Sequence, residues 1–299
     1  MPGGKPTMHY AISFFGEPGA EIIYPDPGFP IYESMINFTG AKAIPYDMTK
    51  NKDFSINPDT ILSLINEKTR LLILNNPHNP TGGFTEKHVI DKLANGLKKF
   101  PDLAILSDEV YDRLIFDEKE IPTLLNYPDL YDRLIVLNGW SKTYAMTGWR
   151  LGWSVWPEKL IEHVFKFCVN SHSCVNTPAQ YGAIAALNGP ENHLNDMMKE
   201  FNLRRKLIVD GLRTLKGIEC SMPGGSFFVF PNVSKTGMDG ENFTKKCLQE
   251  AGVAMIPGIA FGKLATDNVR LNFATSRENI SSCLLYTSPS PRDLSTCRM

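Results

Sequence analysis

Cysteine is scarce in this 299-residue chain, and its six copies (Cys168, Cys174, Cys220, Cys247, Cys283, Cys297) show no CxxC spacing. So few thiols in a chain this long exclude a disulfide scaffold and fit core or surface thiols in a reducing cytoplasm. Charge of one sign is also missing. Lys plus Arg number 31 against 32 Asp plus Glu, a net charge of −1. That balance leaves no electrostatic footprint for nucleic acid or an anionic membrane surface. No apolar run approaches the ~20 residues that span a bilayer, and no signal peptide precedes the first motif. Internal repeats, low-complexity segments and metal-ligand clusters are absent too. What remains is a soluble, cytoplasmic chain long enough for one large domain or two.

Short apolar runs alternate with helical patterns through the first half. MPGGKPTMHY opens on a glycine turn that leads into a helix. Glu21–Tyr24 reads as a strand ending at the breaker-rich PDPGFP, followed by a strand at Ala43–Tyr46 and a helix around Asp59–Glu67. Leu71–Leu74, Leu103–Leu106, Leu134–Leu137 and Leu151–Trp156 read as buried strands, apolar on both faces. Between the first two of these, a helix over Glu86–Lys99 puts Val89, Leu93 and Leu97 on one face, with Thr85 as its cap. Strands alternating with helices predict an α/β fold, a mostly parallel sheet flanked by helices, with ligands beyond the carboxyl ends of the strands. Past Pro157 the texture changes. A helical run reaches Ser171–Cys174, and Thr177-Pro178 caps and opens a second helix that Asn188-Gly189-Pro190 stops. A long helix over Asn192–Leu215 carries Leu194, Met198, Phe201 and Ile208 on its face. Strands at Phe227–Phe230, Ala254–Ile256 and Val269–Phe273 complete a smaller α+β unit. The expected division is 1–175 and 176–282, with 283–299 as a non-native tail that resembles translated adapter DNA.

The chemistry-bearing groups fall at the strand ends. NGWSKTYAMTGWRLGW holds Lys142 just after one buried strand and Arg150 eight residues on. A lysine at such a place loses its proton more readily than in water, because desolvation disfavours the ammonium, and a neutral amine can attack a carbonyl. LLILNNPHNPTGG sets Asn79 in a loop after another strand; AILSDEVY sets Asp108 and Tyr111 after the next; VRLNFA sets Arg270 inside a late strand. Taken singly, each has an ordinary reading: a loop lysine, a turn asparagine, a capping aspartate, a surface ion pair. An aspartate at the end of an apolar run is costly without a cation or donors, and all of these groups stand at successive strand ends. His78 reads as loop-exposed, Gly224-Gly225 as a tight turn near the substrate, and Trp140, Trp149 and Trp153 as packing around the site.

Together NPHNPTG, SDEVY and SKTYAMTGWRLG resemble the class I/II aminotransferases, pyridoxal-phosphate enzymes of fold type I, on their aspartate aminotransferase-like branch. The resemblance spans roughly Pro2 to Ser282 and implies a largely parallel seven-stranded sheet, a smaller C-terminal domain and a homodimer. It implies pyridoxal 5′-phosphate as cofactor, held by Lys142 as an internal aldimine, with Asp108 keeping the ring nitrogen protonated. Tyr111 and Asn79 would hydrogen-bond the ring's phenolic oxygen, and Phe29 would stack on the ring. Gly4 and Lys5 in the phosphate turn and Arg150 would hold the phosphate; Arg270 would fork onto the substrate α-carboxylate. The activity implied is ping-pong transfer of an amino group from an L-amino acid to a 2-oxo acid, with Lys142 moving the Cα proton. Gly139 departs from the pattern, since many relatives carry a phosphate-binding serine three residues before the lysine; Ser141 is the substitute at hand. The family also implies a segment before Met1 that supplies the first sheet strand, an arm to the partner subunit and a tyrosine on the partner's phosphate. Without it, the chain is expected to be poorly stable and weakly active or inactive. Two alternative readings share the motifs, a C–S β-lyase of the same fold and a non-catalytic aminotransferase-like regulatory domain or fragment.

Overall fold

A computed structural model describes residues 1–117 and 121–287. The chain runs α1 (Lys5–Phe15), β1 (Glu21–Asp26), α2 (Ile31–Thr39), β2 (Lys42–Asp47), α3 (Pro58–Leu64), β3 (Thr69–Asn75), α4 (Lys87–Leu97) and β4 (Ala104–Asp108). It continues through β5 (Leu134–Gly139), α5 (Trp140–Thr143), β6 (Gly152–Val155), α6 (Ile161–His172), α7 (Thr177–Asn188) and α8 (Asn192–Thr214). The last elements are β7 (Phe228–Val229), α9 (Gly240–Ala251), β8 (Ile256–Pro257), β9 (Val269–Asn272) and α10 (Arg277–Thr287).

Six strands form one sheet in the order β2-β1-β3-β4-β5-β6. The first five run parallel; β6 pairs antiparallel with β5. Alternate residues of each inner strand feed two cores. Ile22, Leu71, Ile73, Leu106, Ile135 and Leu137 pack under α1 and α2 with Ile12, Tyr32 and Ile36. Ile23, Leu72, Leu74, Ile105, Leu134 and Val136 pack under α3 and α4 with Ile61, Ile90, Leu93 and Leu97. A strand covered on both faces must be apolar at every position, which is why these runs show no polar alternation. A third core lies under α8, α9 and the small sheet β7-β9-β8, built on Phe201, Ile208, Val209, Phe228, Val269 and Phe273.

The structure corrects several local expectations. Leu151–Trp156 is not a buried central strand. Its ordered part, β6, forms the sheet edge, with Trp153 38% and Val155 41% exposed. Thr85 does not cap α4: the N-cap is Glu86, and the Thr85 hydroxyl instead accepts from the N–H of Ile56. The packing stripe of α4 is Ile90, Leu93, Ala94 and Leu97, with Val89 only half-buried. Asn176, not Thr177, caps α7, accepting from the N–H of Ala179. On α8 the buried stripe includes Arg205, whose Nη2 reaches both carboxylate oxygens of Asp117, while Met198 is only half-buried. Helix α10 crosses the boundary expected at Cys283, and residues 288–299 of the expected tail lie outside the described residues. No helix among the described residues is long and apolar enough to cross a membrane.

Candidate active site

The carboxyl ends of β3, β4 and β5 open on a cavity of about 350 Å³. Each strand end delivers its polar group there for one reason: the apolar run stops where the sheet stops being covered. Asp108 is the last residue of β4, Asn79 lies in the loop after β3, and Lys142 sits in the short α5 that follows β5. Gly4, Lys5, Phe29, Tyr111, Arg150 and Arg270 complete the set, so all nine residues expected at the site line this one cavity.

Asp108 is buried, 2% exposed. Burial pushes its carboxyl up to about 6, against the pull of the Tyr32 hydroxyl, the N–H of Val110 and the charge of Lys142. Tyr32 Oη donates to Oδ2 at 2.6 Å and the N–H of Val110 to Oδ1 at 3.3 Å. Lys142 is half-buried, and desolvation lowers its pKa, helped by the positive charges of Arg270 and Arg150 and opposed by Asp108. Its Nζ stands 5.7 Å from the ring centre of Tyr111 and 5.1 Å from that of Phe227. Burial raises the Tyr111 hydroxyl above its ordinary pKa, and Asp108 adds to the shift, so the phenol stays protonated and can donate.

Arg270 comes from β9 on the far side. Its Nη1 donates to Asn79 Oδ1 at 2.9 Å, and its guanidinium lies 4.4 Å from the ring of Phe228 and 4.5 Å from that of Phe261. The bond to Arg270 occupies the Asn79 carbonyl and leaves its Nδ2 as donor. At the other end Gly4 is the N-cap of α1, whose first turn presents unpaired N–H groups and the positive pole of the helix. Arg150 packs against this turn so tightly that a Cβ on Gly3 would come within 2.4 Å of its Nη2. That close approach, with Gly3 at φ +82°, explains the glycine. Gly139 has a different cause: a Cβ there would meet the Leu151 carbonyl at 2.8 Å, because β6 pairs across it. No serine fits at that position, and Ser141 is the nearby hydroxyl in the cavity wall.

Three expectations fail nearby. His78 is buried, not loop-exposed, at 1% exposure, with Nδ1 2.8 Å from the Thr81 hydroxyl and Nε2 without a partner. Burial drives its pKa down to about 3, so it is neutral at ordinary pH. Trp149 and Trp153 are exposed rather than packed around the site, and of the three tryptophans only Trp140 joins a cluster, beside Leu151 and Ala179. Four residues escaped the sequence reading: Tyr32, Asn75, Phe228 and Phe261. Tyr32 carried one faint signal, its place three residues after Phe29 at the start of α2. Asn75 closes β3 and donates to the Asp108 carbonyl at 3.0 Å while accepting from the N–H of Asn79 at 2.9 Å. Phe228 and Phe261 gave no signal, because only the folded small sheet brings them to Arg270.

The sequence pattern of aminotransferase class I and II matches residues 1–284. The chain belongs to this family. It is 37% identical over 288 residues to a probable aspartate aminotransferase of Methanocaldococcus jannaschii, covering 94% of this chain and 74% of that one. Identity to an aspartate aminotransferase of Pyrococcus abyssi is 34%, over 95% of this chain and 73% of the relative. Among solved structures, an aromatic aminotransferase from Pyrococcus horikoshii superposes with a TM-score of 0.91 at 33% identity, covering 95% of this chain and 76% of the other. The fold is therefore that of the type I aminotransferases, and the protein is a transaminase dependent on pyridoxal 5′-phosphate. This aminotransferase's cavity fits that cofactor. A helix start and a guanidinium at one end suit a phosphate, a buried carboxylate in the wall suits a protonated ring nitrogen, and a desolvated amine lies within the same cavity.

Proposed function

We propose that this aminotransferase moves an amino group from an L-amino acid to a 2-oxo acid in two half-reactions of a ping-pong cycle, with Lys142 as the acting base. What carries the reading is convergence: an amine of lowered pKa, a buried carboxylate and an arginine from distant parts of the chain line one cavity. Bound pyridoxal phosphate supplies a protonated ring that accepts the electron pair left at Cα. Lys142 Nζ would hold the cofactor in the resting enzyme and, once free, would move a proton at the substrate's Cα. Such a positioned base contributes ~10²–10⁴-fold. Asp108 sets its charge against the ring nitrogen and keeps that atom protonated. Tyr111 and Asn79 Nδ2 would donate to the phenolic oxygen, and Phe29 would cover the ring face. The α1 start at Gly4 and Lys5, with Arg150, grips the phosphate. Arg270 would fork onto the substrate α-carboxylate and so fix the direction of the Cα–H bond, which makes reaction choice a matter of geometry.

The relatives named above make aspartate and aromatic amino acids the first donors to try. Each donor, added alone, should convert the absorption of the bound cofactor to that of its aminated form and release one 2-oxo acid; a second oxo acid should reverse the change. Release of pyruvate and ammonia instead would replace this reading with a β-lyase.

A large cofactor-binding unit over 1–175 and a smaller one over 176–282 form part of the same proposal, as does a homodimer. In support of the dimer, α6 exposes Ile161, Phe165 and Val169 along one stripe and α7 exposes Tyr181, Ile184 and Leu187. Apolar faces of this kind mark association surfaces. Sedimentation velocity on the protein should show twice the mass of one chain, and a monomer across the micromolar range would sink the dimer. The thiols of Cys168, Cys174, Cys220 and Cys247 are unpaired, in keeping with a proposed cytoplasmic location.

A further inference from the structure

We infer that Asp26 is a positioning residue for Arg270, acting through Phe261, and so tunes affinity for the substrate carboxylate without touching substrate or cofactor. The inference rests on Arg270 being the carboxylate-binding arginine proposed above. Asp26 ends β1 and is 2% exposed. Among the described residues no cation forms an ion pair with it. Its Oδ2 accepts from the N–H of Lys263 at 3.1 Å and its Oδ1 from the N–H of Leu264 at 3.2 Å. Two residues on, the N–H of Gly28 donates to the Phe261 carbonyl at 2.7 Å. Three hydrogen bonds thus tie the end of a central strand to the turn between β8 and β9. Asp26 is itself anchored in the sheet, since its carbonyl accepts from the N–H of Met48 at 2.9 Å.

The tie matters because of what the turn carries. The Phe261 ring is buried and lies 4.5 Å from the Arg270 guanidinium, and a second ring, Phe228, lies at 4.4 Å. Among the described residues the Arg270 side chain makes one hydrogen bond, its Nη1 to Asn79, so the two rings fix the rest of its orientation. Aromatic faces hold a guanidinium without competing for its donors. The N–H groups therefore remain available for a bidentate grip on a carboxylate. Asp26 stands at the end of β1 beside the turn, where burial and the nearby carboxylates of Glu33 and Asp47 raise its pKa while the two backbone donors pull it down. Its removal frees the turn, and the ring of Phe261 with it.

The test uses the cofactor-loaded enzyme and two amino acids that lack a Cα hydrogen, 2-methylaspartate and 2-methylphenylalanine, with binding read from the cofactor's absorption. Asp26→Asn keeps the volume but turns one acceptor into a donor facing an N–H. It should weaken the better probe about tenfold while leaving cofactor affinity within about twofold, as expected for a small misplacement remote from the ring. The control Arg270→Gln should abolish probe binding. Unchanged affinity in that control, or failure of the unaltered enzyme to bind either probe, would overturn the reading of Arg270. Loss of probe in Arg270→Gln with full affinity in Asp26→Asn would overturn the role of Asp26 alone. Parallel loss of cofactor and probe in Asp26→Asn would also overturn it, since a general brace would then suffice. Should that variant not fold, Phe261→Leu interrupts the same path, and unchanged probe affinity there rejects it.

Discussion

Replacing Lys142 by alanine should abolish transamination while leaving the fold and cavity in place. The amine sits where desolvation and the charges of Arg270 and Arg150 disfavour the ammonium. It is therefore primed to take a proton, and that priming disappears with the side chain. Loss of a general base alone costs ~10²–10⁴-fold, and loss of the covalent attachment point adds to it. Stability should hold, since alanine is the better helix former and the change relieves the like-charge pressure from Arg270. Initial rates of oxo-acid release measure the first effect. Borohydride reduction followed by mass spectrometry measures the attachment: the unaltered chain should retain the cofactor's mass, the variant should not. Near-normal turnover in Lys142→Ala would end the assignment.

Asp108→Asn should separate activity from stability in opposite directions. The buried carboxyl titrates near 6 in the folded, cofactor-free protein, against an ordinary value near 4 for aspartate. Between those two values the unfolded chain is ionised while the folded one still holds its proton. Stability contributed by this group therefore falls as pH rises from about 4 to about 6, and above that the full cost, up to roughly 3 kcal/mol, is present. Asparagine removes the titration and still accepts the Tyr32 hydroxyl, while its Nδ2 gives up only the long 3.3 Å bond from the N–H of Val110, a smaller loss than the titration cost. The cofactor-free variant should thus melt higher than the unaltered chain at pH 7, and the gap should close toward pH 4. Turnover should move the other way, falling ~10²–10³-fold, because a ring nitrogen left without its buried counter-charge gives up its proton. Thermal melts at several pH values and steady-state rates give both readings. Turnover within about tenfold of normal would detach Asp108 from the chemistry.

A buried strand announces itself by composition, because a position covered on both faces admits only apolar side chains. That constraint made β3, β4 and β5 readable as apolar runs, and their ends marked Asn79, Asp108 and Lys142 in order. The glycine turn before α1 and the arginine after Lys142 were legible as motifs for the same local reason. Covering rather than composition decided β6: Leu151–Trp156 is as apolar as its neighbours, yet it lies at the sheet edge. His78 shows the converse, a polar residue in a breaker-rich loop that the fold nevertheless encloses.

The sequence by itself marked the residues proposed for the chemistry and the order in which they leave the sheet, because those patterns are local to each strand and turn. Tertiary structure alone decided what stands behind them: Tyr32 on Asp108, Asn75 between two loops, Phe228 and Phe261 against Arg270, and Asp26 beneath the turn that carries Phe261. Contacts between residues far apart in the chain leave no spacing or period in the sequence. They exist only once the apolar faces have been buried and the polar ends brought together.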